Sequence, residues 1–441
     1  MPTPGHEPLS SVTLEPAECV KGETRIPPDK SISHRAVLIG SITEGRVVVK
    51  NFLQADDCLA TLEAMRLLGV GIEDCGEGRL EIDGVGLRGM SKPSETIDCG
   101  NSGTTMRLMM GVLAAQNFSS CLTGDQYLRA RPMDRIINPL RQMGARLRGQ
   151  DGDRLAPVEI EGAPLTPMTY DSPIASAQVK SAILLAGLYC QGKTTVREPH
   201  KSRDHTERML HRFGAKVEVD EKSASIDGPA ALQAREIVVP ADVSSAAFFI
   251  AAAAMLPGSE LMLRNVGLNA TRAGFIDVAR KMGVELECSS PPDDGLDEPS
   301  GDILIRGPQH LKAVHIGARD IPRLIDEVPI LAIMATMAEG TTVIEGAKEL
   351  RVKETDRLSA LAKNLSALGA HVEEKPDGLV IHGPQRLGEG IVNSFGDHRT
   401  AMAMAIAGLA ADGPVTIEDT ACVATSFPDF FDALRTVTIQ R

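Results

Sequence analysis

The sequence predicts a mixed α/β protein of two similar domains, each built from three helix-and-strand units. Three observations predict this fold class. A pattern of helix, strand, helix and strand recurs six times along the 441 residues. Five second helices end in a similar Gly-containing tag, and six units divide naturally into two domains of three. The tags lie roughly 70 to 85 residues apart, a spacing too long for a solenoid repeat and suited to a small helix-and-sheet subdomain.

Each unit opens with an apolar helix. Runs such as 246–255 and 401–407 are apolar nearly all round, which in a globular protein predicts burial on every side. The second helices end at Gly, which reaches the left-handed conformation that closes a helix. The opening helices are expected to begin near Ser33, Gly103, Ser176, Ser244, Asp326 and Asp397. The tags are Leu68-Gly69-Val70, Met143-Gly144-Ala145, Phe213-Gly214-Ala215, Met282-Gly283-Val284 and Leu368-Gly369-Ala370.

Composition excludes several classes of function. A net charge of −13 and an aromatic content of 3% without Trp argue against a nucleic-acid partner, because both phosphate-neutralising charge and stacking platforms are scarce. The eight Cys form no C-x-x-C pair, which predicts reduced thiols rather than disulfides or zinc. Residues 1–7 lack the features of a secretion signal, and no apolar run is long enough to cross a bilayer. We therefore expect a cytoplasmic protein that has no membrane partner.

Two familiar phosphate-binding motifs occur in the wrong structural context. Residues 84–89 fit G-x-G-x-x-G, but Pro93 follows where the required helix would open, so we interpret them as a turn. Residues 187–194 fit the P-loop pattern. There an apolar helix is expected before the motif and a strand after it, which reverses the order that a P-loop needs. A nucleotide kinase remains a weaker alternative.

Cations and small polar residues are concentrated at helix starts, where free backbone N–H groups and the helix dipole attract anions. On a chain with net negative charge, this pattern favours a doubly anionic substrate. Lys353 and Arg357 are expected to share one helix face at i, i+4 spacing, although such a run is often only a solvated salt-bridge ladder. The segments with this pattern are 27–35, 99–105, 122–132, 176–180, 198–205, 351–357 and 396–399.

These segments resemble those of the 5-enolpyruvylshikimate-3-phosphate (EPSP) synthase family, in the expected order and across essentially the whole chain. The matching motifs are P-P-D-K-S-I-S-H-R, G-N-S-G-T-T-M-R, T-G-D followed by A-R-P, S-A-Q, L-I-D-E-V-P, L-R-V-K-E-T-D-R, G-D-H-R and T-S-F-P. The resemblance implies an α/β (α+β) fold in which each domain has three βαβαββ units, with buried parallel helices surrounded by sheets. It also implies one domain of residues 1–25 plus 240–441, a second of residues 26–239, and an active site in the cleft between them.

The implied reaction transfers the carboxyvinyl group of phosphoenolpyruvate to the 5-hydroxyl of shikimate 3-phosphate, as a step in making chorismate and the aromatic amino acids. Matched residue by residue, the family's catalytic positions are Asp326 as proton acceptor and Glu354 as proton donor, with Lys30 sharing the acid role. The phosphoenolpyruvate positions are Lys30, Asn101, Gly103, Arg131, Gln178, Arg357 and Arg399. The shikimate 3-phosphate positions are Lys30, Ser31, Arg35, Ser176, Ala177, Gln178, Ser202, Asp326 and Lys353. No metal or organic cofactor is implied, and a monomer is expected.

Several alternatives remain open at this point. Asp326 could be only the N-cap of a helix over 327–337, and Glu354 only one member of a charged ladder. UDP-N-acetylglucosamine enolpyruvyl transferase has the same fold but usually presents a Cys where residues 124–131 contain none. A catalytically silent scaffold that binds phosphorylated ligands is the alternative outside the enzymes. Glu349 and Thr425 depart from the family pattern, and no role is carried over to them.

Overall fold

The computed structural model describes residues 11–290, 297–307 and 310–441. The chain forms two compact units, the first of Met1–Pro27, Ala241–Pro291 and Pro299–Arg441, the second of Pro28–Pro240 and Pro292–Glu298. Each unit has its own apolar core. Residues 1–7, considered above for a secretion signal, lie outside the described residues. In the described ranges, no helix is both long and apolar enough to span a membrane.

The second unit contains three four-stranded sheets in its described part. The first unit supplies β1 (Ser11–Leu14) and β2 (Ala17–Thr24) before the chain enters the second. The second unit's strands are β3 (Glu44–Lys50), β4 (Gly71–Asp74), β5 (Leu80–Val85), β6 (Ile97–Asp98), β7 (Ser119–Thr123), β8 (Arg146–Gly149), β9 (Leu155–Glu161), β10 (Thr169–Asp171), β11 (Gly192–Arg197), β12 (Val217–Val219), β13 (Ser223–Gly228) and β14 (Ile237–Val238). Its helices are α1 (Lys30–Ser41), α2 (Asp56–Leu67), α3 (Gly103–Leu113), α4 (Gln126–Arg129), α5 (Asp134–Gln142), α6 (Gln150–Asp153), α7 (Ala177–Gly187) and α8 (His205–Arg212).

The three sheets share one strand order, β14-β3-β5-β4, β6-β7-β9-β8 and β10-β11-β13-β12. In each, the first two strands are parallel and the remaining pairs are antiparallel. A parallel pair needs a crossover connection, and α3 and α7 supply it between β6 and β7 and between β10 and β11. The chain order β6, α3, β7, α5, β8, β9 is therefore one βαβαββ repeat within the second unit. This repeat also contains the two short helices α4 and α6.

The first unit repeats this plan. Its remaining strands are β15 (Glu260–Gly267), β16 (Leu286–Ser289), β17 (Ser300–Arg306), β18 (His315–Ile316), β19 (Gly340–Ile344), β20 (Val372–Lys375), β21 (Gly378–Gly383), β22 (Gly390–Asn393), β23 (Val415–Glu418) and β24 (Thr438–Gln440). Its helices are α9 (Val243–Met255), α10 (Gly274–Lys281), α11 (Ile321–Leu324), α12 (Val328–Met337), α13 (Arg357–Ala367), α14 (His398–Ala410) and α15 (Phe430–Val437). The sheet orders are β16-β17-β15-β2-β24, β18-β19-β21-β20 and β1-β23-β22. The mixed α/β fold predicted from the sequence is confirmed.

The opening helices are buried as their composition predicts. All 13 residues of α9 are buried, and so are all residues of α14 except Ala410. The Gly tags close the second helices, with Gly69 at φ 86° and Gly144 at φ 96°. Both phosphate-motif interpretations are also confirmed. Helix α7 precedes β11 around residues 187–194, and after β5 the next helix, α3, begins only at Gly103.

Candidate active site

The first predicted cation of the second unit lies at the start of α1. The Asp29 Oδ1 caps this helix by accepting from the Ile32 N–H at 2.8 Å, so the helix begins at Lys30. The Lys30 Nζ lies 2.9 Å from Oδ2 of Asp57 in the first turn of α2, and both side chains are mostly buried. This ion pair anchors the ammonium group of the first residue of α1 to α2.

The start of α3 brings Asn101, Gly103 and Arg131 together. The Arg131 guanidinium donates to the backbone carbonyl of Asn101 at 3.3 Å and to its side-chain oxygen. The Asn101 amide in turn donates to Asp125 Oδ2 at 2.7 Å. A Cβ on Gly103 would lie 3.4 Å from Arg131 Nη1 and 3.1 Å from Arg107 Nη1. The missing side chain therefore leaves two guanidinium groups facing the first turn of α3.

Arg107 belongs to this cluster although no role was predicted for it. Its Nη1 donates to Gln178 Oε1 at 2.7 Å, and its Nη2 donates to the Pro132 carbonyl at 3.1 Å. Gln178 completes the link by donating to Thr104 Oγ1 at 3.1 Å. The sequence contained a signal, because Arg107 lies four residues after Gly103 on α3 and closes the motif G-N-S-G-T-T-M-R.

Two of the serines predicted to bind shikimate 3-phosphate, Ser176 and Ser202, meet at a buried carboxylate. Ser176 caps α7, its hydroxyl accepting from the Val179 N–H at 3.4 Å, so the helix begins at Ala177. Its own N–H donates to Glu198 Oε1 at 2.9 Å. The Ser202 hydroxyl donates to the other oxygen, Oε2, at 2.9 Å. Glu198 was not predicted from the sequence, since only folding brings the two serine segments together.

Arg35 is placed differently from an exposed substrate ligand. Its Nη1 donates to the Ser31 carbonyl at 2.9 Å, its Nε to Thr206 Oγ1 at 2.7 Å and its Nη2 to Ser181 Oγ at 3.0 Å. Burial lowers the pKa of this guanidinium to about 10, while the carboxylates of Glu207 and Asp29 act in the opposite direction. In this arrangement Arg35 fixes the backbone at Ser31.

The first unit places Arg357 among three carboxylates. Its Nε donates to Asp397 Oδ2 at 2.7 Å, its Nη1 to Asp326 Oδ1 at 3.2 Å and its Nη2 to Glu354 Oε2 at 2.6 Å. Burial disfavours the charge, but the charges of Asp397, Glu354 and Asp326 outweigh it and raise the pKa of Arg357 above its usual value. Arg357 therefore stays cationic.

Asp326 is surrounded by cations from three segments. Besides Arg357, its carboxylate lies 3.7 Å from Lys353 Nζ and 3.8 Å from Arg399 Nη2. Arg399 also donates to the Asp326 backbone carbonyl at 3.4 Å. Three cations stabilise the ionised carboxylate, which is the form that can accept a proton.

One expectation about this region was wrong. Lys353 and Arg357 do not share a helix face, because Lys353 is extended at the end of a 3₁₀ turn over Lys348–Val352 and α13 begins only at Arg357. Both side chains nevertheless reach Asp326. The alternative that Asp326 is only the N-cap of a helix over 327–337 does not hold, because Asp326 lies inside the 3₁₀ turn Ile325–Glu327 and α12 follows at Val328.

A second buried ion cluster lies beside Asp326 and was missed from the sequence. Arg272 Nη1 donates to Glu327 Oε1 at 2.9 Å, and Arg272 Nη2 lies 3.4 Å from Asp242 Oδ1, the N-cap of α9. Ser244 bonds to both Arg272 and Glu327. Arg399 Nη1 lies 4.0 Å from Glu327 Oε1. Arg399 therefore connects this second cluster to the carboxylate of Asp326.

Comparison with known proteins identifies the family. The family model described as EPSP synthase (3-phosphoshikimate 1-carboxyvinyltransferase) matches residues 14–434. The chain belongs to the EPSP synthase family. A 3-phosphoshikimate 1-carboxyvinyltransferase of Geobacter sulfurreducens is 51% identical over 98% of this chain and 100% of the relative. One of Citrifermentans bemidjiense is 52% identical with the same coverage.

Solved structures agree with membership of the EPSP synthase family. EPSP synthase from Acinetobacter baumannii superposes with a TM-score of 0.86 and 43% identity, over 98% of both chains. The enolpyruvyl transferase NikO from Streptomyces tendae gives a TM-score of 0.78 at 20% identity, over 96% of both chains, and shows the shared fold alone. The predicted enzyme class, 3-phosphoshikimate 1-carboxyvinyltransferase rather than the UDP-N-acetylglucosamine enzyme, is confirmed. The roles of individual residues stay predictions.

Proposed function

We propose that this chain transfers the carboxyvinyl group of phosphoenolpyruvate to the 5-hydroxyl of shikimate 3-phosphate, using the residues described in both units. The observation that carries the proposal is the Asp326 carboxylate, which three cations keep ionised and which shares Arg357 with a second carboxylate, Glu354. A base and an acid beside each other suit an addition followed by an elimination.

Phosphoenolpyruvate is proposed to bind through cations from each unit. In the second unit these are Lys30 and Arg131, with the backbone around Asn101 and Gly103. In the first unit they are Arg357 and Arg399. Arginine suits the task because its planar guanidinium can meet a carboxylate or phosphate with two parallel hydrogen bonds. The side chain of Gln178, held by Arg107 and Thr104, would contact both substrates.

Shikimate 3-phosphate is proposed to bind through its phosphate to the start of α7 and the loop before α8. Ser176 and Ser202 supply hydroxyl groups there, and Ala177 supplies its backbone. The Ser202 O–H exchanges Glu198 for the phosphate, while the Ser202 N–H keeps its hydrogen bond to Glu198. Ser31, held by Arg35, and Lys30 contact the remainder from the second unit, as do Asp326 and Lys353 from the first. The proposal requires that the residues of the two units bind the same substrates. The cleft that the sequence resemblance implies for this purpose stays a prediction.

In the proposed addition step, one proton moves from the substrate to the enzyme and another moves from the enzyme to the substrate. Asp326 takes the proton of the 5-hydroxyl as that oxygen forms a bond to C2 of phosphoenolpyruvate, and Glu354 or Lys30 donates a proton to C3. The tetrahedral adduct then loses a proton from C3 and expels phosphate from C2, which restores the double bond in the product. The cations around both carboxylates stabilise the charge that shifts during each step.

A hydrogen-isotope experiment tests this sequence of steps. In deuterium oxide, C3 passes through a methyl group that carries one deuterium, so we expect mass spectrometry to find deuterium in the vinyl group of the product. We expect Glu354→Gln to slow both turnover and incorporation. A product formed at full rate without deuterium would contradict the addition step. Product formation that is unchanged by Glu354→Gln would contradict the role of Glu354.

A cytoplasmic monomer is part of the same proposal. All eight Cys are free thiols, in keeping with a reducing compartment. Sedimentation equilibrium should give the mass of a single chain, 46.9 kDa. A concentration-independent dimer would contradict this proposal.

A further inference from the structure

Glu198 joins the two serines that are proposed to hold the phosphate group of shikimate 3-phosphate. One carboxylate oxygen accepts from the Ser176 N–H at 2.9 Å. The other accepts from the Ser202 hydroxyl at 2.9 Å and from the Ser202 N–H at 3.3 Å. The Glu198 side chain is 3% exposed, so these hydrogen bonds are shielded from water.

We propose that Glu198 is a positioning residue, which sets the spacing of Ser176 and Ser202 so that both reach one phosphate group. The inference rests on the proposed function, in which the two serines are phosphate ligands. Ser176 lies before α7 and Ser202 in the loop before α8, with no shared turn or helix. The carboxylate is therefore a direct link between the two segments through side-chain hydrogen bonds.

The carboxylate is itself held in place by a buried set of charges. Lys180 Nζ lies 3.0 Å from Glu198 Oε2 and 2.8 Å from Glu207 Oε1, and it donates to the Ser202 carbonyl at 3.3 Å. Burial opposes the charge on Lys180, but Glu207 and Glu198 outweigh burial and raise its pKa. With Arg35, whose charge Glu207 also stabilises, two cations balance two carboxylates. Lys180 thereby ties Glu198 and the Ser202 carbonyl together in the interior.

Charge and geometry make opposite predictions for Glu198→Gln. A carboxylate near the site repels a phosphate dianion, so charge alone predicts tighter binding when Glu198 becomes neutral. Glutamine, however, has one acceptor oxygen where glutamate has two. It must therefore lose either the bond from Ser176 or the bonds from Ser202, so the positioning role predicts weaker binding.

The experiment compares Glu198→Gln with Glu207→Gln in the full chain, by calorimetric titration with shikimate 3-phosphate. Glu207 is the matched control, because the same charge is removed from the same buried set and no described hydrogen bond joins Glu207 to Ser176 or Ser202. We expect Glu198→Gln to raise the dissociation constant about tenfold or more, as for a lost hydrogen bond to a charged group. We expect Glu207→Gln to leave binding unchanged or tighter. The KM for shikimate 3-phosphate should rise in parallel, with little change in kcat at saturation.

Two results would overturn the inference, namely unchanged or tighter binding by Glu198→Gln, or equal weakening by both variants. Failure of the unaltered protein to bind shikimate 3-phosphate would instead overturn the proposed function, and the inference with it. If Glu198→Gln does not fold, the double variant Glu198→Gln with Lys180→Met removes the acceptor together with its counter-charge. Its matched control is Glu207→Gln with Lys180→Met, and the same difference in affinity is expected.

Discussion

Arg357 Nη1 lies 3.2 Å from Oδ1 of Asp326. The same guanidinium donates to Glu354 from Nη2 and to Asp397 from Nε, so the proposed base and the proposed acid share one buried cation. A change in the charge of one carboxylate therefore alters the electrostatic environment of the other. This coupling fits a reaction in which one carboxylate takes a proton while the other gives one.

Replacing Arg357 by Met should destabilise the fold strongly. It would leave Asp326, Glu354 and Asp397 without their shared cation, and removing one partner of a buried ion pair costs about 3–5 kcal/mol. Denaturant unfolding measures this loss. Arg351→Met is the control, because the ion pairs of Arg351 with Asp356 and Glu374 are partly exposed and should contribute about 0–1 kcal/mol. Equal losses for both variants would contradict the central position of Arg357.

Asp326→Asn should lower kcat in protein that still folds. The amide keeps the shape of the side chain but cannot accept the hydroxyl proton, and loss of a general base typically costs a factor of about 10²–10⁴. Steady-state phosphate release measures the effect. Asp277→Asn, which alters a partly exposed ion pair with Arg323 on the same unit, should retain full activity. An Asp326→Asn enzyme with normal kcat would require a different base.

Gly103→Ala should weaken phosphoenolpyruvate binding more than shikimate 3-phosphate binding. The new Cβ would lie 3.1 Å from Arg107 Nη1, so that this guanidinium group must shift slightly, and it would touch Arg131 Nη1 at 3.4 Å. We expect the KM for phosphoenolpyruvate to rise about tenfold or more, the scale of a disturbed hydrogen bond to a charged group. Gly317→Ala is the control, since a Cβ there meets no atom within 4 Å. A normal KM in Gly103→Ala would place the substrate elsewhere.

Stability should fall at mildly acidic pH because of His34. Burial, with Lys30 and Arg35 nearby, lowers the pKa of this histidine well below 6.5. As the pH falls, the unfolded chain binds the proton first, so the free energy of unfolding decreases. The stability that comes from the neutral imidazole is present above the ordinary pKa of histidine and is lost as the pH falls below it. His34→Gln should reduce the difference between the free energies of unfolding at pH 7.5 and 5.5, whereas an unchanged difference would contradict a neutral buried imidazole.

Features set by local sequence were predictable. The start of α3 at Gly103 and the buried faces of α9 and α14 follow from capping residues and from apolar runs that leave no solvated side. The Gly that closes each second helix is equally local, because only a few neighbouring residues determine it. Because these elements repeat, the number of repeats and the mixed fold class could be predicted before any catalytic motif was considered.

Features that depend on long-range pairing were not predictable. The i, i+4 spacing of Lys353 and Arg357 suggested one helix, but Asp356 caps α13 and leaves Lys353 outside it. Asp57 and Glu198 gave no local signal, because their partners lie 27 and 22 residues away in sequence, at Lys30 and Ser176. Tertiary packing brings the partners in such ionic clusters together. A short sequence motif contains only one residue of each pair, so the partner cannot be predicted from it.

The most direct test is phosphate release from phosphoenolpyruvate by the purified protein, with shikimate 3-phosphate and UDP-N-acetylglucosamine as parallel acceptors. We expect release only with shikimate 3-phosphate, and we expect Lys30→Met to abolish it while Lys50→Met, which changes an exposed ion pair with Glu236, does not. Release only with the sugar nucleotide, or binding of both shikimate-pathway substrates without any release, would contradict the proposed reaction.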